Sequence, residues 1–231
     1  MNDLSQISVG LTQSHLASIE LHGRETWVHQ AMHPQLSALC DAAALAGFEL
    51  AIASGFRDYH RQAAIFSAKF SGQRPILDSD SQPLDPSALT DEQKLHAILR
   101  WSALPGASRH HWGSELDVYA INCLPQDCRL QLEPWEYETG HQADFCRWLH
   151  QNMTQFGFFL PYAQDLGGVA VEPWHISFAP VAQDIQAQLT PELLAKTWRQ
   201  HPFLGHEIAL ESVEELYQQY VINISQEGLG K

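Results

Sequence analysis

No stretch of this sequence approaches the roughly 18 consecutive apolar residues that a membrane-spanning helix requires, so membrane insertion is not expected. Basic residues are scarce. Thirteen Lys+Arg against 27 Asp+Glu leave a formal charge of −14 with neutral histidines. A nucleic-acid partner is not expected, because displacing counterions from phosphates takes a basic face, and attraction to anionic headgroups is disfavoured on the same ground. The opening MNDLSQISVGLTQSHL has no basic stretch followed by an apolar one. That leads to the expectation of a cytoplasmic protein, or of a cell-envelope protein whose export segment has been removed. Cysteines are few, at Cys40, Cys123, Cys128 and Cys146, and none forms a CxxC pair of the structural-zinc kind. Cys123 and Cys128 could pair after export; in a reduced compartment all four read as small, mostly buried side chains.

What is present fits one domain. The 231 residues suffice to bury a proper core, and seven tryptophans within 10% aromatics mark a globular chain. Helix formers from Pro34 run to a stop at Gly47. Residues 48–54, FELAIAS, alternate as a half-buried strand, and a helix follows from Arg57 to Phe70. Residues 71–89 are rich in Pro, Ser and Asp and read as a long surface loop of the lid or binding type. Thr90 and Gln93 form a capping box for a helix through Ser102. ELDVYAI from Glu115 is a strand with one polar side, carrying Glu115, Asp117 and Tyr119. An amphipathic helix runs from His141 to Gly157. HISF after Glu172-Pro173-Trp174 is a strand with His175 and Ser177 on one face. Trp174, Ile176 and Phe178 take the other, which puts Trp174 beneath the site. Thr190-Pro191 caps a later helix, and Ser212 with Glu215 suggests another capping box. With no repeat and no regular βαβ alternation, the expectation is an α+β fold. It would be a single domain over 1–231, with a motif core at 48–180 and a helical extension at 181–231.

Three short segments carry chemistry: Ser54-Gly55-Phe56-Arg57 with Gln62, SRHHWGSELD at 108–117, and Glu172-Pro173-Trp174-His175. A catalytic zinc keeps three protein ligands and an open position for water, whose pKa it lowers. Peptide hydrolysis also needs a base for that water and a group to hold the substrate. His110, Asp117 and His175 can be the ligands, Glu172 the base and Arg57 the clamp. His111, next to His110, reads as a neighbour or a substrate contact.

SRHHWGSELD resembles the S-x-H-x-x-G-x-[AE]-x-D motif of the D-Ala-D-Ala metallopeptidases, the group that includes vancomycin-resistance D,D-carboxypeptidases and dipeptidases. EPWH resembles that group's E-x-W-H motif, and SGFRDYHRQ its S-G-x-R-x-x-x-x-Q segment. All three occur in the family order, and together they make a specific signal. The resemblance implies a central antiparallel sheet flanked by helices, the fold shared with Hedgehog signalling domains. It implies Zn2+ on His110, Asp117 and His175, with Glu172 as general base and Arg57 on the substrate. Ser108 and Gln62 would line the pocket, and Trp174 is expected among the substrate-binding residues. The implied substrate is a peptidoglycan stem peptide or muropeptide losing its terminal D-Ala. An L,D-carboxypeptidase, a stem endopeptidase in murein recycling and a non-catalytic zinc-containing binding module stand as alternatives. Zinc alone does not mean turnover.

Overall fold

The computed structural model describes residues 3–225. Strands are β1 (Leu16–Leu21), β2 (Arg24–His29), β3 (Leu50–Ser54), β4 (Ile76–Leu77), β5 (Pro83–Leu84), β6 (Glu115–Ala120), β7 (Phe158–Phe159) and β8 (His175–Phe178). Helices are α1 (Asp3–Ser8), α2 (His33–Leu45), α3 (Tyr59–Phe70), α4 (Asp91–Leu99), α5 (Pro134–Glu138), α6 (Ala143–Asn152), α7 (Ala179–Gln186), α8 (Pro191–Gln200), α9 (His206–Glu211) and α10 (Val213–Leu216). The central sheet is antiparallel throughout, in the order β3-β6-β8-β7. This is the α+β single domain expected, with helices on the flanks.

Alternation sorts the two faces of that sheet. Leu50, Ile52, Leu116, Val118, Ala120, Ile176 and Phe178 pack with Leu36, Leu39 and Ala43 of α2 and Phe145 and Leu149 of α6. On the opposite face Asp117 pairs directly with His175, and Glu115 with Ser177. Strand periodicity and register alone therefore gather four polar side chains on one patch. A second core, largely helical, joins Tyr59, Phe66 and Phe70 of α3 and Leu95 and Ile98 of α4 to Leu194 and Trp198 of α8 and Leu216 of α10. The C-terminal helices thus share a core with the helices on either side of the 71–89 segment. Burial of each such side chain stabilises by about 1.5–3 kcal/mol.

Several elements differ from their sequence expectations. β3 is not half-buried: Leu50, Ala51 and Ile52 are all buried, because Ala51 packs with Tyr119, Tyr137 and Trp174 on the second face. Residues 71–89 contain the β4–β5 hairpin and a short 3-10 turn, Pro86–Ala88, anchored by the buried Ile76. The Thr90–Gln93 capping box forms in full, yet α4 ends at Leu99, short of Ser102. Ser212 makes no side-chain cap, since its backbone sits at the break between α9 and α10. Among the described residues no helix is long and apolar enough to cross a membrane.

Candidate active site

The 108–117 segment enters the site through a 3-10 turn, Arg109–Trp112, and reverses at Gly113 with φ +67°. A side chain there would be doubly penalised. Left-handed backbone favours glycine, and a Cβ would fall 2.5 Å from Leu16 Cδ2 and 2.9 Å from the His29 amide nitrogen. This turn lets His110 face back toward Asp117 of β6. The junction between β3 and α3 is tied to the same turn: His110 Nδ1–H donates to the Gly55 carbonyl at 2.9 Å, and Arg57 N–H donates to the His110 carbonyl at 3.1 Å.

His110, Asp117 and His175 are all buried, and one donor atom from each lies within 4.8 Å of the others. His110 Nε2 is 3.4 Å from Asp117 Oδ2, and His175 Nδ1 is 3.0 Å from Asp117 Oδ1. Two ligands each roughly 2.0–2.2 Å from a common tetrahedral ion stand roughly 3.3–3.5 Å apart, so the donor set and spacing fit zinc. With Nδ1 of His110 held by a carbonyl, its Nε2 is the free donor. For His175 the arrangement is reversed: Nε2 points at Glu115 Oε2, 3.2 Å away, and Nδ1 faces the cluster.

Electrostatics in this buried patch are unusual. Burial and the Arg57 charge depress His110 to about 4. Burial also works against a charged His175, but hydrogen bonds to Asp117 and Glu115 and the surrounding carboxylates outweigh it and raise it to about 9. Burial opposes ionisation of Asp117 as well, yet His110 and His175 hold it well below the usual carboxylate range. Glu172 stands 3.5 Å from His175 Nδ1, and burial pushes its carboxyl up to about 7 despite the pull of His175. A buried carboxyl titrating near neutrality suits a group that takes and returns a proton.

These groups line a cavity of about 240 Å³ together with Arg57, Ser108, Trp174, Tyr162, Trp101 and Leu132. That is below the roughly 300–1,000 Å³ of drug-sized sites. Arg57 Nη1 donates to Gln62 Oε1 at 2.9 Å, and its Nε is buried with no hydrogen-bond partner. Asp117 and Glu172 partly offset the burial that lowers the Arg57 pKa.

Two residues sit elsewhere than the sequence suggested. Gln62 does not line the cavity; fully buried, it braces Arg57 and donates from Nε2 to the Ala103 carbonyl at 2.7 Å. Trp174 is not on the face of Ile176 and Phe178. It precedes β8 in a turn and packs on Tyr137, with ring centroids 5.3 Å apart, so it forms a side wall of the cavity. His111 lies behind the cavity and makes no part of its lining. Sequence reasoning missed Tyr162, whose ring centroid is 5.0 Å from that of His175. It placed Glu115 on the polar side of its strand but gave it no role, and it missed the buried partner Arg109, 3.1 Å away. Glu115 was legible as the residue sharing a strand face with Asp117; nothing in the sequence around Tyr162 marked it.

Known proteins similar to this chain point to one family. A protein of Haemophilus influenzae, described only as uncharacterized, is 38% identical over 122 residues, covering 52% of this chain and 93% of its own. A D-alanyl-D-alanine carboxypeptidase of Enterococcus faecalis is 28% identical over 151 residues, 64% of this chain and 47% of that longer protein. In fold, the chain is similar to VanYB in complex with D-Alanine-D-Alanine, with a TM-score of 0.51 and 24% identity over 87% of this chain and 92% of that one. The family model for VanY, D-alanyl-D-alanine carboxypeptidase, matches residues 25–181, a span containing all three motifs. This chain therefore belongs to the VanY D-alanyl-D-alanine carboxypeptidase family of peptide-hydrolysing enzymes.

Proposed function

We propose that this chain is a zinc-dependent D-alanyl-D-alanine carboxypeptidase that removes the terminal D-Ala from peptidoglycan stem peptides. One observation carries the reading: the Glu172 carboxylate faces the His110–Asp117–His175 cluster in a small cavity that also holds the incompletely bonded guanidinium of Arg57. Zinc held by His110, Asp117 and His175 supplies Lewis acidity and a lowered water pKa. Glu172 takes the proton of the attacking water and delivers it to the departing amine. Arg57 binds the terminal carboxylate through the N–H groups that Gln62 leaves unused, a match of fork to carboxylate. Ser108 and Trp174 bound the pocket. The small volume favours a chain end over an internal bond, which supports exopeptidase action.

The test is mass-spectrometric product analysis of the full chain with pentapeptide and tetrapeptide stems, with and without a chelator. Chelator-sensitive loss of one D-alanine from the pentapeptide is expected. Loss from the tetrapeptide alone would make the enzyme an L,D-carboxypeptidase, and internal cleavage an endopeptidase. A zinc-loaded protein inert toward every stem would favour a binding role.

A further inference from the structure

The most fully satisfied polar group near the site takes no part in the chemistry described above. Glu115 is completely buried, two residues before Asp117 on the same strand face. Its Oε1 accepts from Ser177 Oγ at 2.7 Å and Ser114 Oγ at 3.2 Å, and its Oε2 accepts from Arg109 Nε at 3.1 Å and from His175 Nε2–H at 3.2 Å. With its lone pairs committed to these donors, Glu115 has nothing left with which to ligate an ion itself. Arg109 is also buried and is fixed from three sides. Its Nη2 reaches Ser177 Oγ at 2.9 Å, its Nη1 donates to Gln186 Oε1 of α7 at 2.7 Å, and its guanidinium lies 4.5 Å over the Trp112 ring.

We infer that Glu115, held by Arg109 and Ser177, is the positioning residue that fixes the ring of His175 with Nδ1 toward the metal and Nε2–H away from it. The inference rests on the ligand set proposed above and adds the part that orients it. An imidazole has two competing nitrogens, and a hydrogen bond to one decides which remains free to ligate. Here Asp117 and Glu115 bracket His175 on opposite ring edges, so the other tautomer would set a bare Nε2 against the Glu115 carboxylate. Arg109 supplies the charge that keeps Glu115 ionised in a dry environment. Through Gln186 the same arginine couples the metal cluster to the C-terminal helices, giving the segment beyond residue 180 a role at the site.

The test uses the full chain, with zinc itself as the probe. Competition against a chromophoric chelator gives the zinc affinity of wild type, Glu115→Gln and the double variant Arg109→Met/Glu115→Ala. The double variant avoids stranding a buried arginine. Both variants are expected to bind zinc 10–100-fold more weakly, the range for outer-shell partners of metal-bound histidine. Imidazole ¹⁵N shifts of zinc-loaded wild type should show His175 protonated at Nε2 and metal-bound at Nδ1, a readout that survives if either variant misfolds. Wild-type zinc affinity in both variants, or metal at Nε2, would overturn the inference. Wild type failing to bind zinc, or binding it undiminished in His110→Ala, would instead overturn the ligand set.

Discussion

His111 offers the sharpest test of how this site is held. It stands next to a candidate ligand, yet both its nitrogens are committed elsewhere: Nδ1–H donates to the Arg57 carbonyl at 2.6 Å and Nε2 accepts from the Gly106 amide at 3.0 Å. The ring is wholly buried and stacks on Tyr59. Replacing it with alanine strands one carbonyl and one amide, each costing about 1–3 kcal/mol, and leaves a void behind the Arg57 turn. A loss of about 3–6 kcal/mol is expected, a large share of the roughly 5–15 kcal/mol typical of a whole domain. Burial also depresses the His111 pKa to about 3, against an ordinary 6.5. Between those values the unfolded chain binds the proton and the folded one does not. The His111 contribution is therefore complete above pH 6.5 and shrinks as pH falls, by about 2–3 kcal/mol at pH 4.5. Urea unfolding followed by tryptophan fluorescence from pH 4.5 to 7.5 reads both effects. The variant should be less stable at pH 7.5 and show a flatter acid slope, with zinc affinity changed by no more than a few-fold. Parallel slopes would refute the argument, and so would loss of zinc binding with stability intact, which would make His111 a ligand.

Other outcomes follow from the same geometry. Glu172→Gln should cost about 10²–10⁴-fold in kcat while zinc remains bound. In the wild type kcat/KM should rise with pH through about 7, as the Glu172 carboxyl ionises and becomes a base; near-normal turnover in the variant would remove it from that role. Arg57→Lys keeps a charge but loses the fork, so KM for a free C-terminal carboxylate should rise at least tenfold, about 1.4 kcal/mol. Amidated peptides, already poor substrates, should be little affected. Gly113→Ala forces a Cβ into Leu16 and the His29 amide. A loss above about 2 kcal/mol in thermal or denaturant unfolding is expected, together with weaker zinc binding as His110 is displaced.

The strand carrying Asp117 and the one carrying His175 were legible because alternation is local, and antiparallel pairing then sets the two residues opposite each other. The expectation that Arg57, His110 and Glu172 gather around them came from the resemblance of the three motifs to the family. What escaped was set by packing between distant segments. Trp174 was assigned a face by extending strand periodicity one residue too far, into a turn where Tyr137 decides its position. Gln62 has generic chemistry, and only the approach of Ala103 shows that it braces Arg57. The β4–β5 hairpin is two residues per strand, too short for any periodic signal.

The stitches between the motif segments and the C-terminal helices also set an order in time. Tyr59 Oη–H donates to the His201 carbonyl, 142 residues further along, Trp198 Nε1–H donates to the Pro105 carbonyl, and Arg109 waits for Gln186. At ribosomal speeds of about 5–20 residues per second, the α3 end of the site emerges roughly 7–30 s before the residue that ties it down. Until then the histidines and carboxylates of the site hang on an unfinished scaffold, and the proposed zinc site is completed only late in the synthesis of each chain.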